Sequence, residues 1–421
     1  MTQAFSDMVY LFSCAIHARE PKKEKVENMD LLMVRREAIL QGVWPFVFTA
    51  IKQAAQEGAF AAYSDEIQTW NMELLFMLMS KTQKDSYLVA SIKHMERAKI
   101  PCCILKGASL AALYPNPDCR ISGDMDVLIP PEREGEACRI LKKDGFDLLT
   151  RGDTSHHVVA KHPSAGTLEL HVKLYDDIYA DQWFGEECAV TEPYRTFETE
   201  QGKFSALGAS DGAVFVLFHF IKHFLYTGAG IRLLSDVLLY FCAFRDQMDW
   251  KRLERVLTSM KCDRLFAHMI GVGVHYLGFD AECFPPADYD LAVLERLMDD
   301  LCERGGFMRE TDHSGDIFLP YFKQLMQEQG KDSEKYFADR RKASWKSLLF
   351  PRRKTMENNY PYVMKSPFLI PVAWVHRACR FIWRKYIVRK PSEEWELYHE
   401  RPVEQGAHQK RLRLAKDLDM I

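Results

Sequence analysis

Leu105-Lys106-Gly107-Ala108-Ser109, followed by Ser122-Gly123-Asp124-Met125-Asp126-Val127-Leu128-Ile129, decides how this 421-residue chain reads. An apolar strand, Cys102 to Leu105, runs into a glycine turn. A short helix, Ser109 to Tyr114, follows, and a second strand then opens with two aspartates one residue apart. Side chains alternate between the faces of a strand, so Asp124 and Asp126 share one face and Met125, Val127 and Ile129 form a core face on the other. Two carboxylates so close repel each other unless a cation sits between them. Oxygen-only ligands favour Mg²⁺, which keeps several waters and binds substrate phosphates.

A third carboxylate completes such a site. In Thr167-Leu168-Glu169-Leu170-His171-Val172-Lys173-Leu174 the leucines and the valine take one face. Thr167, Glu169, His171 and Lys173 take the other. Glu, His and Lys in line on a buried sheet point to a face that lines a cleft. Glu169 reads as metal ligand or general base. Two roles stay open for His171, orienting Glu169 or a phosphate, and touching the acceptor. Zinc ligation lacks partner cysteines or histidines at metal spacing. Lys106 reads either as a phosphate ligand or as a packing residue. It is not a Walker lysine, because it precedes the glycine and no Gly-Lys-Ser/Thr follows.

These residues resemble the nucleotidyltransferase superfamily typified by DNA polymerase beta. They are more closely similar to a poorly characterised bacterial branch of it. That branch carries a Leu-Lys-Gly-Ala opening, an Arg-x-x-Gly-Asp-x-Asp strand and a Glu-Leu-His strand. Here these are Leu105 to Ala108, Arg120 to Asp126, and Glu169 to His171. The resemblance implies a metal triad of Asp124, Asp126 and Glu169, holding Mg²⁺ or in its place Mn²⁺. It implies that the turn formed by Lys106, Gly107, Ala108 and Ser109 cradles a nucleoside triphosphate. The wider superfamily has Gly-Ser or Gly-Gly at this turn, and here Ser109 comes one place late. The resemblance spans roughly residues 85–280, and weakly reaches Phe350-Pro351 and Leu369 to Arg377.

The rest of the chain frames this unit. Its length predicts two or three domains, and a hydrophobic content of 47% allows a sizeable core. Asp7 to Ala18, Asn28 to Glu57 (broken at Pro45) and Asp65 to Lys99 read as helices. The Leu74, Leu75, Met77, Leu78 stripe of the last reads as core packing. A helix from Pro131 to about Lys143 and short strands at Phe146 to Leu149 and His157 to Lys161 complete a small mixed sheet with helices on one face. Residues 176–205 read as irregular, and 208–330 as helical again. In that last stretch His219, Lys222, His223, Arg232 and Asp236 form either one salt-bridge cluster or a lid over the nucleotide. Arg232 and Asp236 sit four apart, a spacing that allows an intrahelical pair. Arg120 pairs with the aspartates or with phosphate, or serves structurally.

The expected fold is α+β, with the nucleotidyltransferase domain embedded between helical regions. The boundaries are 1–85, an N-terminal helical region; 86–205, the catalytic domain; 206–330, a helical domain closing the cleft; and 331–421, a basic helical region. Residues 331–421 carry 21 Lys+Arg against 11 Asp+Glu, whereas the whole chain has a net charge of −3. The body is therefore acidic and the tail basic. Arg340 to Lys354 holds seven cations and no acid, and His376 to Lys390 six. These runs read as a solvated face, an amphipathic helix on an anionic membrane, or a polyanion contact.

Eleven cysteines without a Cys-x-x-Cys predict reduced thiols, no disulfides and no structural zinc. With no signal peptide or spanning segment, the expected location is cytoplasmic, or peripheral at the inner membrane face. The expected activity is Mg²⁺-dependent transfer of a nucleoside monophosphate to a hydroxyl of a small molecule or protein, because an acidic body has no general nucleic-acid footprint. The alternative is a nucleotide-sensing or scaffold protein at a membrane surface.

Overall fold

The computed structural model describes residues 1–149, 157–175, 189–226, 228–304, 317–328, 330, 366–383 and 405–421. Helices α1 (Gln3–Ile16), α2 (Leu31–Leu40), α3 (Trp44–Gln56) and α4 (Ser64–Arg97) precede the sheet. The helical stretch breaks just before Pro45, between Leu40 and Trp44, and Pro45 sits in the first turn of α3, where its missing N–H has no intrahelical partner to lose. Helix α4 has Asp65 and Glu66 in its first turn and His94 and Arg97 in its last, which suits the helix dipole. It stops where Lys99 takes a positive φ of 58° and Pro101 follows.

The sheet has seven strands: β1 (Cys103–Ile104), β2 (Asp124–Leu128), β3 (Asp147–Leu149), β4 (His157–His162), β5 (Gly166–His171), β6 (Arg195–Thr199) and β7 (Gly202–Ala206). Their order is β3-β4-β5-β2-β1-β7-β6. The β2–β5 and β1–β7 pairs are parallel and the rest antiparallel. The short helix α5 (Ala108–Ala111) lies between β1 and β2, and α6 (Glu134–Lys143) between β2 and β3. The hairpin β6–β7 falls in the stretch that reads as irregular. Its inward residues are few, with Phe197 and Phe204 buried among polar neighbours, so an edge hairpin leaves little hydrophobic alternation to read.

Met125, Val127, Ile129, Leu168 and Leu170 pack with Leu88, Ile92 and Met95 of α4 and Leu141 of α6 in one apolar cluster. The sheet's other side is covered too, contrary to the expectation of helices on one face. Leu105, Leu128 and Leu207 join a second cluster built from α1 to α3 and from α7 (Ala209–Tyr226), α8 (Ile231–Phe244), α9 (Trp250–Ser259), α10 (Asp263–Tyr276), α11 (Leu291–Arg304) and α12 (Phe318–Glu328). The helices before and after the sheet thus share one core. Ser13 donates to the carbonyl of Leu277, and Gln41 bridges Leu301 and Ile231.

The stripe on α4 is only partly core. Leu74 is buried and Leu78 packs at the edge of the core, but Leu75 and Met77 are 47% and 37% exposed. The helix carries apolar residues around more of its circumference than its neighbours cover.

Two helices follow, α13 (Ile370–Trp383) and α14 (Gln405–Asp417). The basic run Arg340 to Lys354, and the part of the second run beyond Trp383, lie outside the described residues. Helix α14, outside both runs, is docked on the body: its Leu414 and Ala415, with Leu418 and Met420 just beyond it, enter the core. Buried Arg411 pairs with Asp300 at 2.9 Å and donates to the carbonyl of Phe224. No disulfide joins the nine described cysteines. Burial pushes the thiols of Cys102 and Cys103 up to about 12. Among the described residues no helix is long and apolar enough to cross a membrane.

Candidate active site

Strand register assembles the three carboxylates. In the parallel pair β2–β5, Asp124 stands opposite Thr167, Asp126 opposite Glu169 and Leu128 opposite His171. Residues opposite one another point the same way, so Asp124, Asp126, Glu169 and His171 occupy one face. Oxygens of Asp124, Asp126 and Glu169 all lie within 4.8 Å of one another.

Lys106 straddles the aspartates, its Nζ 3.3 Å from an oxygen of each. Asp126 is buried, and its Oδ2 receives no well-formed hydrogen bond. Burial, and then the neighbouring Asp126 charge, raise the carboxyl of Asp124 above the usual range, against the pull of Lys106. Burial would raise Glu169 as well, but the hydrogen bond from His171 and the charges of His157 and Lys106 outweigh it and hold it at about 2. Burial opposes charge on His171, yet its hydrogen bonds to Asp126 and Glu169 raise it overall. Its Nε2 lies 3.0 Å from Asp126 Oδ1 and 3.6 Å from Glu169 Oε2.

Three converging carboxylates, one with a buried oxygen that lacks a good donor, fit a hard divalent cation such as Mg²⁺. His157 carries no local sequence signal that would assign it to this site. Strand β4 places it opposite His171, where the two rings stack at 5.1 Å and its Nε2 lies 3.8 Å from Glu169 Oε2. His157, Glu169 and His171 form a second cluster of metal-ligand type, a grouping set by strand pairing and not by spacing along the chain.

The Gly107 turn is braced from behind. Gly107 has a φ of +74°, which favours glycine, and α5 starts at the next residue, Ala108. Ser109 is buried, and its hydroxyl donates back to the carbonyl of Leu105 at 3.4 Å. Arg120 donates to the Gly107 carbonyl at 3.1 Å and to Ser122 Oγ at 2.7 Å. Its other nitrogens grip Asp236, whose carboxylate also accepts from Tyr114. The hydrogen-bonded ion pair of Asp236 is therefore with Arg120, on the approach to β2, and the charge of Arg232 acts on it as well. The Arg232 guanidinium donates to the carbonyl of Ile121 at 3.0 Å. Burial raises Asp236, but Arg120 more than reverses this and lowers it.

Helix α7 brings His219 and His223 near Lys106. Burial lowers His219 well below the usual histidine range and His223 to about 4, and the nearby charges of Lys106, Lys222 and Arg232 add to the effect in both. The imidazoles of His219 and His223 meet edge to face at 4.7 Å. Lys173 is exposed, just past the end of β5.

A family model described as an uncharacterised nucleotidyltransferase matches residues 30–278. It begins well before the motif-bearing unit, takes in α2 to α4, and stops short of the Phe350 and Leu369 stretches. No curated protein matches the chain. Among solved structures, the chain is similar to the solution structure of the antibiotic-resistance factor ANT(2'')-Ia, at 15% identity over 46% of this chain and 98% of that one, with a TM-score of 0.31. It is similar to the crystal structure of ANT(2'')-Ia in complex with adenylyl-2''-tobramycin, at 14% identity over 42% and 97%, with a TM-score of 0.30. It is also similar to an antigenic nucleotidyltransferase-like protein from Paracoccidioides brasiliensis, at 15% identity over 44% and 89%, with a TM-score of 0.29.

Proposed function

Because the chain belongs to this uncharacterised nucleotidyltransferase family, we propose that it transfers a nucleoside monophosphate from a nucleoside triphosphate to an acceptor hydroxyl and releases pyrophosphate. The observation that carries this reading is the convergence of Asp124, Asp126 and Glu169 on one face beside Lys106. Asp124, Asp126 and Glu169 would hold Mg²⁺, which supplies charge neutralisation at the phosphates and lowers the pKa of a bound hydroxyl.

The chain's own groups do the rest. Lys106 balances the carboxylates in the free protein, and its ammonium, next to the Gly107 turn in the chain, would serve as a cation for a triphosphate there. Arg120 fixes that turn through the Gly107 carbonyl, so the phosphate side of the site is positioned before substrate arrives. Glu169, held ionised, accepts the proton of the attacking hydroxyl. His171 aligns Asp126 and Glu169 through Nε2. The cations Lys222 and Arg232 bias the helical side of the cleft toward an anionic nucleotide.

The test is pyrophosphate release and label transfer from each α-labelled nucleoside triphosphate, with Mg²⁺, in extract cleared of small nucleotides. Label in one fraction, lost in D124N/D126N, supports the reading. Binding of a triphosphate without transfer under any condition would leave a sensing protein.

A second reading concerns location. Phe368, Val372 and Val375 are 88%, 55% and 63% exposed on or beside α13, and the sequence from Ser366 to Ser392 holds six Lys+Arg and no acid. Exposed apolar side chains in a stretch whose sequence carries only cations suit an anionic lipid surface. Salt-sensitive binding to phosphatidylserine vesicles, weakened by F368S/V372S, checks it.

A further inference from the structure

We propose that His157, His171 and Glu169 form a binding site for a borderline divalent cation of the Zn²⁺ or Co²⁺ class. The site differs in ligand chemistry from the three-carboxylate cluster and shares Glu169 with it. The ligand atoms of the three side chains lie within 4.8 Å of one another. Nε2 of His171 is 3.6 Å, and Nε2 of His157 3.8 Å, from the same oxygen, Oε2 of Glu169. These separations exceed a well-formed hydrogen bond of about 2.7–3.2 Å. They approach the roughly 3.3 Å between neighbouring ligand atoms around a tetrahedral ion whose bonds are about 2.0–2.1 Å. Small side-chain rotations therefore close the three groups on one ion.

The sheet fixes the positions from which these side chains start. Strands β4 and β5 run antiparallel with His157 opposite His171, and Glu169 sits two residues before His171, on the same face. The two imidazoles stack with centroids 5.1 Å apart and planes at 30°, and both Nε2 atoms face the one carboxylate. The side chains of His157 and Glu169 are 16% and 24% exposed, and that of His171 is buried. The cluster thus has a sealed side and an open one. A water entering from the open side completes the fourth position, as in zinc sites with three protein ligands.

Ligand type decides which ion this is. Two imidazoles and one carboxylate suit Zn²⁺, Co²⁺ and their neighbours, whereas Mg²⁺ takes oxygen ligands and keeps its waters. Asp126 Oδ1, 3.0 Å from Nε2 of His171, adds negative charge beside the ion and favours it. Ligation displaces the proton that Nε2 of His171 shares with these carboxylates, so binding releases it to solvent. Spacing along the chain shows no such site, because strand pairing alone brings His157 to the other two.

The probes are Co²⁺ and Zn²⁺, added to the full chain without nucleotide. Wild type is expected to bind one Co²⁺, with the strong visible absorption of a four- or five-coordinate ion and no thiolate charge-transfer band, and to release it to Zn²⁺. H157Q is expected to weaken Co²⁺ and Zn²⁺ at least tenfold, yet to keep the rise in melting temperature that Mg²⁺ produces, which also shows that the variant is folded. D124N reverses the pattern, losing the Mg²⁺ effect while Co²⁺ affinity moves less than threefold. E169Q weakens both. Histidine ¹⁵N spectra of wild type, a readout that needs no variant, are expected to show two imidazoles shifted by Zn²⁺. A six-coordinate Co²⁺ spectrum, a thiolate band, Co²⁺ affinity indifferent to H157Q, or fewer than two shifted imidazoles would overturn the proposal. So would loss of Co²⁺ binding in D124N, which would place the ion among the aspartates. A Mg²⁺ effect unchanged in D124N, with Co²⁺ binding intact, would count against the proposed Mg²⁺ ligands and not against this site.

Discussion

Arg120 and Asp236 form a two-point buried ion pair, with Nε to Oδ1 and Nη2 to Oδ2 both 2.7 Å. It ties the segment leading into β2 to helix α8. Neither side chain is more than 4% exposed. Removing one partner leaves the other charge buried and uncompensated, which costs about 3–5 kcal/mol. D236N is therefore expected to lower unfolding stability by about that amount in denaturant titration. R120K retains a charge but loses the planar two-point fit and is expected to recover less than half of the loss. Because Arg120 also holds the Gly107 carbonyl, R120K should weaken triphosphate binding as well.

Lys106 stands 3.3 Å from both aspartates. In K106M the two carboxylates face each other without that charge, and stability without divalent ions is expected to drop by about 1.5–3 kcal/mol. Mg²⁺ then stabilises the variant more than wild type, since binding to the folded state alone raises stability with ligand concentration. Melting temperatures across a Mg²⁺ series check this. An equal Mg²⁺ shift in both proteins would mean that the cation binds elsewhere.

His171 contacts two proposed ligands through one nitrogen. Loss of such an orienting group typically costs about 10–100-fold in metal affinity. H171N is expected to need that much more Mg²⁺ for half-maximal transfer and to recover most of its rate at saturation. Glu169, proposed as ligand and as proton acceptor, behaves differently: E169Q should lose roughly 10²–10⁴-fold in rate, a loss that saturating Mg²⁺ does not restore. The Mg²⁺ dependence of kcat separates the two roles.

His223 gives a pH signature. Its folded value is about 4 against an ordinary 6.5, set first by burial and then by Lys106, Lys222 and Arg232. Between those values the unfolded chain holds a proton that the folded chain does not, so stability falls as pH drops from about 6.5 to 4. The contribution of His223 is at most about 3 kcal/mol. Below pH 4 both states are protonated and its slope ends. Thermal melts of wild type and H223N across this window are expected to diverge, with the variant flatter.

Local pattern made β2 and β5 readable. Alternation assigned Asp124, Asp126, Glu169 and His171 to polar faces, because that signal acts over a few residues. What alternation does not carry is partnership across the chain. His157 enters the site through antiparallel pairing with β5. Spacing offers Asp236 a partner four residues back, at Arg232, but its two-point ion pair is with Arg120, more than a hundred residues away, because the α8 face that carries it packs on the strand approach. The same limit explains α4. Its period gives a helix, but only the packed structure shows that Leu74 is covered while Leu75 and Phe76 are not.

By itself the sequence determined the helices, the Lys-Gly turn and the carboxylate-bearing strands, since each is a short-range consequence of residue type and spacing, and the resemblance of those residues pointed to the family. Only the tertiary structure decided the strand order that places Asp126 beside Glu169, the Lys106 bridge and the brace behind Gly107. Those depend on which surfaces meet. Burial of apolar area settles that over the whole chain at once, and no local window of the sequence contains it.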